Sequence, residues 1–429
     1  MKYFFFFFLW NLWLTGNAQT PQVLSIEDCY SLARQNYPLV KQQDLILKSK
    51  EYSIQNASKG YLPQISILGQ ATYQSDVTQI PIDLLGIDIP TISKDQYRIY
   101  GELSQTLFDG GIIKAQKQAL EAKAKVEEQH LEVELYKLNN RVNQLFFGIL
   151  LVDEQLKQQE LLQKDIQLGI TKIQAAIANG IAFKSSADVL KAELLKAGQH
   201  TIGLKSMRKA YITMLGLLIN KTLDENTVLV KPQKVSVSQQ IQRPELLFYA
   251  SQNKSLDIQY NLLTANNLPK FNLFLQGGLG RPGFNMLSND FTPFYIGGIR
   301  LNWPLSGLYT LKKSKALIDI DRKKVDLQKE LFLFNTNFTI QQQDAEINKA
   351  KTLLSSDDAI IALRLNIKNA ASAQLENGII NSNDYLREVN AEDQARQNKI
   401  LHEIQLLIAQ YNLKWTVENG QQKMEKIQK

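Results

Sequence analysis

Long stretches of the chain place apolar residues at the spacing of α-helices. Between Leu131 and Leu156 the apolar positions recur at alternating steps of four and three, which is the heptad seam of a coiled coil. Proline is absent from 91–231 and from 305–429, and a proline inside a helix costs ~3 kcal/mol. The pattern therefore predicts very long helices, the first of them running from about Ile112 to Ala178.

Each helical stretch is interrupted once, by a similar short turn. The two turns read Asn179-Gly180-Ile181 and Asn377-Gly378-Ile379. Asn and Gly both tolerate the left-handed conformation that ends a helix, and the Ser and Asn residues that follow are suited to cap a returning helix. Each stretch is therefore predicted to form a long helical hairpin with its tip at the Asn-Gly pair.

The two hairpins belong to a repeat that extends over most of the chain. Leu62-Pro63 recurs as Leu268-Pro269, and the two Asn-Gly turns are separated by a similar interval, about 200 residues, which indicates a tandem duplication. We expect a first repeat over 19–240 and a second over 241–429. Each repeat holds a helix, a pair of strands and a long helical hairpin.

Four shorter stretches alternate apolar and polar residues with a period of two. They begin near Gln64, Tyr97, Phe271 and Tyr295 and are each ~10 residues long, the length of a tilted strand that crosses a bilayer. A soluble sheet with one wet face has the same pattern. Four strands cannot close a barrel, so the membrane alternative requires oligomerisation. Tyr97 and Trp303 suit either an aromatic belt at the membrane interface or ordinary packing.

The N-terminus has the pattern of an export signal. A basic start at Lys2 precedes an apolar run from Tyr3 to Leu14, and Gly16-Asn17-Ala18 follows with small residues at the cleavage positions. We expect a signal peptide over 1–18, because the run is shorter than the ~20 apolar residues of a membrane anchor. No later window is apolar enough for a spanning helix, so a membrane crossing would need a β-barrel.

Composition gives little support to catalysis or to nucleic-acid binding. The 429 residues include 49 Lys and Arg against 42 Asp and Glu, and the two signs are interleaved along the helices rather than gathered on one basic face. One Cys and three dispersed His suit neither a disulfide framework nor a zinc cluster. We expect no catalytic residue, no metal, no cofactor and no nucleic-acid partner.

The order of elements behind the signal peptide resembles the TolC family of outer-membrane efflux proteins, also called outer membrane factors. The segments that carry the resemblance are Leu24-Ser25-Ile26-Glu27-Asp28 with Ala33, Leu62-Pro63-Gln64, Leu107-Phe108-Asp109-Gly110-Gly111, Arg243-Pro244-Glu245-Leu246 and the two Asn-Gly turns. They are spread over most of the mature chain.

The resemblance implies a mainly α fold with a β-barrel part. Tandem-duplicated hairpins would form a coiled-coil α-barrel tunnel in the periplasm, and four strands per chain would complete a 12-stranded transmembrane β-barrel in a homotrimer. Loops 77–95 and 281–292 would face the outside. The implied location is the outer membrane, in contact with its lipid, with a long periplasmic extension.

The implied function is a passive exit duct of a tripartite efflux or type I secretion system. Its partners would be a periplasmic adaptor (membrane fusion) protein and an inner-membrane pump. A periplasmic coiled-coil adaptor or scaffold that does not span the membrane is the alternative, although adaptors resemble this chain less because they carry a single hairpin.

The resemblance also assigns roles to residues at the tips. Adaptor docking falls on Asn179-Gly180-Ile181 and Asn377-Gly378-Ile379, and the periplasmic aperture on Asp384 with Asp188 as its counterpart in the first repeat. Lys191 and Arg387 stand where the family often has a further acid, so Asp–Arg pairs across protomers are an alternative to a double acidic ring. The two aspartates would equally suit a helix N-terminus, whose dipole favours negative charge.

Overall fold

The structure is a computed structural model that describes residues 23–78, 91–235 and 240–418. The predicted signal peptide and most of the loop 77–95 lie outside these residues. The chain divides into two compact units, each assembled from separated segments. The helical unit takes its residues from 1–38, 137–241 and 338–429, and the sheet unit from 39–136 and 242–337.

Helices dominate the described residues. They are α1 (Ile26–Asn36), α2 (Gln42–Ser58), α3 (Ile112–Tyr136), α4 (Leu138–Ala178), α5 (Lys184–Ile219), α6 (Pro244–Asn266), α7 (Gly307–Glu376) and α8 (Ser382–Val417). Within the described ranges, none of these helices has an apolar run of the length that a bilayer crossing requires. The mainly α fold class is confirmed.

The predicted first long helix is confirmed at both ends but has one interruption. It begins at Ile112 and ends at Ala178, with α3 and α4 separated only by Lys137, whose φ of −62° and ψ of −20° remain helical. Of the eight predicted seam positions, six are buried and two are half-buried. The buried six are Leu131, Leu135, Leu138, Val142, Ile149 and Val152.

The helical unit is built on the packing of α4 against α5 and α8, with α1 beside α4 and α5. A two-residue parallel pair joins β1 (Val23–Leu24) to β4 (Val228–Leu229). Ser25 and Asp28 cap the start of α1 reciprocally, each side chain accepting from the other's backbone N–H. Cys29, one turn later, is fully buried, and this burial raises the pKa of its thiol to about 12.

The sheet unit contains one four-stranded antiparallel sheet. Its strands are β2 (Gln64–Tyr73), β3 (Asp95–Phe108), β5 (Lys270–Arg281) and β6 (Thr292–Asn302), in the order β2-β3-β5-β6. All four predicted strands are therefore present. The sheet ends at β2 on one side and β6 on the other, and each of these edges leaves a row of backbone groups without a ladder partner among the described residues.

The register gives the sheet two chemically different faces. One face carries apolar residues and glycines, apart from Gln105 and the strand-end pair of Asp95 and Arg281. Its large exposed side chains are Ile65, Ile67, Tyr73, Tyr97, Ile99, Leu103, Phe271, Leu273, Leu275, Leu279, Tyr295, Ile299 and Leu301. We call it the apolar face, and the opposite one, with Gln70, Arg98 and Glu102, the polar face.

Candidate functional site

The two hairpin tips have the same backbone geometry. At the first tip, Gly180 N–H donates to the Ile177 carbonyl and Ile181 N–H to the Ala176 carbonyl; at the second, Gly378 and Ile379 donate to Leu375 and Gln374. Both patterns are Schellman motifs, which satisfy the last carbonyls of a helix and require a left-handed residue at their centre. The glycines supply it, with φ of +73° at Gly180 and +68° at Gly378.

The caps of the returning helices differ between the tips. Asn381 caps α8 as expected, because its side chain accepts from the N–H groups of Asn383 and Asp384. The expected Ser cap of α5 is wrong, since α5 begins at Lys184 and its N-cap is Phe183, which makes no side-chain capping bond. Phe183 is instead 81% exposed.

The tips contact each other within the helical unit. A Cβ added to Gly378 would lie 2.7 Å from Cγ2 of Ile181, so the second turn packs directly on the first. Behind them lies one apolar core that draws on all four long helices of the hairpins and includes Ile173, Leu190, Leu375 and Tyr385. The two hairpins therefore end as one packed body, and both turns lie at its surface.

This contact predicts unequal effects of the two tip glycines. Gly180→Ala is expected to cost only the strain of a left-handed alanine, about 1 kcal/mol, because nothing lies within 4 Å of the added Cβ. Gly378→Ala adds the overlap with Ile181 and should lower the unfolding temperature further, as followed by circular dichroism. Ile181→Ala in the Gly378→Ala background should remove that extra loss. Equal melting temperatures of the two single variants would contradict the contact.

The four candidate aperture residues lie on exposed helix faces just after the turns. Lys191 lies 3.8 Å from Asp188, and Arg387 lies 3.7 Å from Asp384, each pair being one turn apart on its own helix. Arg387 also donates to Glu388 at 3.0 Å. Such exposed pairs contribute little stability, typically ~0–1 kcal/mol. Within one chain both aspartates therefore have a basic neighbour on their own helix.

Further from the tips, the hairpins are joined by a buried charge network that the sequence pattern did not reveal. Lys368 on α7 contacts Asp165 on α4 at 2.7 Å and Glu392 on α8 at 3.5 Å. Glu392 is 2% exposed and also pairs with Arg396. Nearer the tip, Lys172 on α4 contacts Glu376 on α7 at 2.8 Å. These pairs join three helices, α4, α7 and α8.

Tyr385 connects the same helices through its ring and its hydroxyl. The hydroxyl donates to the backbone carbonyl of Asp165 at 2.9 Å, and burial raises its pKa to about 12, so it remains a donor at neutral pH. Its ring lies against α4 at Gly169, where an added Cβ would come within 2.5 Å of it. This contact therefore needs both the small Gly169 and the large Tyr385.

Titratable groups elsewhere in the helical unit have structural partners. Gln158 donates to Asp393 at 2.9 Å, and burial raises the pKa of this carboxyl above its usual range despite that bond. His200 bonds Gln159 and His402 bonds Asp357, each at 2.8 Å. In the ranges that the structure describes, no group of three or more His, Cys, Asp or Glu is placed to hold a metal ion.

The sequence from 29 to 213 matches the family model of the outer membrane efflux proteins. Over this segment the family resemblance expected from the sequence is confirmed. The matched segment begins at Cys29 in α1, includes β2, β3 and the tip of the first hairpin, and ends within α5. Since the matched family consists of outer membrane proteins, the match agrees with the outer-membrane location expected from the sequence.

Solved structures share this fold over nearly the whole chain. CusC, described as forming a transmembrane channel, is 14% identical with a TM-score of 0.70, and 92% of each chain is covered. The CmeC outer membrane channel of Campylobacter jejuni is 12% identical (TM-score 0.63; 94% of this chain and 88% of that one). The MtrE outer membrane channel of Neisseria gonorrhoeae is 13% identical (TM-score 0.63; 91% and 88%). The comparison with curated protein sequences gives no match.

In the four-stranded sheet, aromatic residues lie towards both ends of the apolar face. Tyr73 and Tyr97 lie at one end, where Tyr97 is near Phe291. At the other end Phe108 stacks near Phe271, and Trp303 follows the last residue of β6 and donates to the Asn267 carbonyl at 3.2 Å. An aromatic row at each end of an apolar band is the pattern of a strand surface in contact with lipid.

Proposed function

We propose that the chain is the passive exit duct of a tripartite export system, acting as a homotrimer in the outer membrane. Three copies of the four-stranded sheet would close a 12-stranded transmembrane barrel, and the hairpins would form the tunnel that leads to it. Cargo would diffuse through, with no covalent step. The observation that carries the proposal is the apolar face of the sheet, which is exposed along its whole length in a family of outer membrane proteins.

The open edges of the sheet support the trimer. In the part of the chain that the structure describes, strands β2 and β6 each have one side without a partner strand, and unsatisfied backbone groups are not tolerated in the hydrocarbon layer. Pairing β6 of one copy with β2 of the next satisfies both rows at once. Closure by three copies also turns every apolar face outward to lipid and every polar face inward to water.

Exposed apolar seams on the long helices support the same assembly. The part of α7 in the sheet unit carries exposed apolar residues at steps of three, four and seven. They are Leu317, Ile320, Leu327, Leu331 and Phe334. On α5, Leu195 and Ile202 are exposed and seven residues apart. Apolar residues at heptad spacing are suited to pack against another helix, and a neighbouring copy provides such helices.

The tips suit the two roles that remain, adaptor docking and gating. Ile181 and Ile379 are 59% and 71% exposed and follow the left-handed glycines, so they present apolar groups to a partner. We propose that Asn179, Gly180, Ile181, Asn377, Gly378 and Ile379 dock the adaptor. Asp384, with Asp188, would line the aperture, and Arg387 and Lys191 would limit its negative charge by pairing with them, within a chain or between chains.

This proposal predicts conductance changes in tip variants. Purified protein in a planar bilayer should conduct weakly with a preference for cations, since acidic groups in a narrow pore attract cations. Arg387→Ala should raise the conductance by removing a partner that holds Asp384, and Asp384→Ala should reduce cation preference. Lys254→Ala, on α6 in the sheet unit, is the control and should leave both quantities unchanged. Tip variants with wild-type conductance and selectivity would contradict gating at these residues.

Extraction behaviour separates the duct from the alternative scaffold. A duct should require detergent, fractionate with outer membranes and run as a trimer that dissociates on heating. A periplasmic adaptor or scaffold should be released by osmotic shock, remain in solution without detergent and never conduct, and that outcome would overturn the proposed function.

A further inference from the structure

The polar face of the sheet carries an aromatic cluster that a water-filled lumen does not need. Tyr100 on β3 and Phe294 on β6 lie on either side of Gly278 on β5, with their ring centres 6.1 Å apart. A Cβ on Gly278 would lie 2.5 Å from Tyr100. The glycine therefore permits two rings from non-adjacent strands to meet above it.

A third ring and a guanidinium complete this cluster. Phe284, from the loop after β5, contacts Phe294 edge to face at 4.9 Å between ring centres. The Arg98 guanidinium lies over the Phe294 ring at 5.4 Å from its centre. Phe294 is thereby buried, whereas Arg98 is exposed and the ring of Phe284 is 52% exposed. The exposed Arg98 guanidinium and the exposed Phe284 ring therefore both pack on Phe294.

The charge on this part of the polar face is positive. Glu102, one row further along β3, is engaged by Arg300 at 3.0 Å and by the Gln276 amide. Among the residues that the structure describes, no carboxylate lies within ion-pair distance of Arg98, so its charge is not neutralised there. An unpaired guanidinium beside exposed rings presents two planar donors to an anion and a π surface to a flat apolar group.

We propose that Arg98, Tyr100 and Phe284, supported by Phe294, form a binding site on the lumen side for planar aromatic anions among the exported solutes. A carboxylate accepts from the Arg98 guanidinium while the attached ring stacks on Phe284 and against the edge of Tyr100. This inference rests on the proposed function, because three such sites would face one another only if the polar face lines a trimeric pore.

Arg281 provides a matched control for Arg98. It also stacks its guanidinium on aromatic rings, over Tyr97 at 5.1 Å and Phe291 at 5.6 Å. Its register partner is Tyr97, so it belongs to the opposite, apolar face. Both arginines lie near the same end of the sheet, but Arg281 lies on the other face and is paired with Asp95.

The experiment measures block of single-channel current by 2-naphthoate added to the side that the loop 282–291 faces. Two further probes serve as controls. Cyclohexanecarboxylate keeps the negative charge but lacks an aromatic ring, and 2-naphthylmethylammonium keeps the aromatic rings but carries a positive charge. We expect 2-naphthoate to block at a concentration roughly tenfold lower than either, which corresponds to one charge-assisted contact. Arg98→Gln and Phe284→Leu should each raise its half-blocking concentration several-fold, and Arg281→Gln should not.

The outcomes separate this inference from the proposed function. A conducting wild-type channel that all three probes block equally, or block that Arg98→Gln and Phe284→Leu leave unchanged, would overturn the aromatic-anion site alone. A detergent-purified protein that never conducts would overturn the duct and the site together. Because Phe284 lies in a loop, its variant tests the site even if Arg98→Gln fails to assemble.

Discussion

Lys368→Met is expected to lower the free energy of unfolding of the helical unit by about 3 kcal/mol, the scale for removing one partner of a buried ion pair. The substitution keeps the apolar stem but leaves Glu392, which is 2% exposed, with Arg396 as its remaining partner, and it removes the 2.7 Å contact to Asp165. Urea denaturation of the detergent-solubilised protein, followed by circular dichroism, measures the change.

Lys191→Met is the matched control for this prediction. It removes a lysine whose 3.8 Å pair with Asp188 is exposed on both sides, so the expected change is below about 1 kcal/mol. Adding Glu392→Gln to Lys368→Met should recover part of the loss because the buried charge is removed. Equal denaturation midpoints for Lys368→Met and Lys191→Met would contradict the view that this network joins the hairpins.

Gly278→Ala is expected to prevent assembly of the proposed 12-stranded barrel. An ideal Cβ at this position would lie 2.1 Å from the carbonyl oxygen of Ile99 and 2.5 Å from the Tyr100 backbone. These are backbone atoms of the neighbouring strand, so no side-chain rotation can relieve the overlap and β3 must separate from β5. The expected result is the loss of heat-dissociable trimer on gel electrophoresis of outer-membrane extracts.

Gly69→Ala is the control, because it lies in β2 of the same sheet with nothing within 4 Å of the added Cβ. It should leave the amount of trimer unchanged. A normal yield of trimer from Gly278→Ala would show that the close approach of β3 and β5 is not required, and would also remove the basis for the ring pair above Gly278.

Local patterns in the sequence were sufficient for the type and approximate ends of the long elements. The steps of four and three from Leu131 to Val152 lead to buried or half-buried positions, and all four period-two stretches are strands. Proline-free length and the Asn-Gly turns located both hairpin tips. These features are predictable because helix periodicity, strand alternation and left-handed glycine caps depend on neighbours within a few residues.

The capping of the first returning helix shows the limit of local rules. Ser185 and Ser186 are good N-cap residues by composition, yet α5 starts at Lys184 after Phe183. The Schellman motif fixes the direction in which the chain leaves Gly180, and the helix resumes before either serine is reached. At the second tip the expected residue type, Asn381, is the cap.

The sequence was sufficient to name the residues of the candidate site but not to predict the contacts that they make. The tips and the residues Asp188, Lys191, Asp384 and Arg387 could be named from spacing and resemblance, and their roles stay proposals. The contact of Gly378 with Ile181 and the Lys368 network join residues about 200 positions apart, a separation at which sequence periodicity carries no information.

The sequence by itself determined a mainly helical chain with two hairpins, four membrane-length strands and a family resemblance, since each of these depends on short-range spacing. Only the tertiary structure decided which strands are edges, which face of the sheet holds Arg98 with its aromatic neighbours, and which charges are buried between helices. Those features depend on strand register and on packing between distant segments. The effect of a charged residue or a glycine there is set by the residue that lies opposite it.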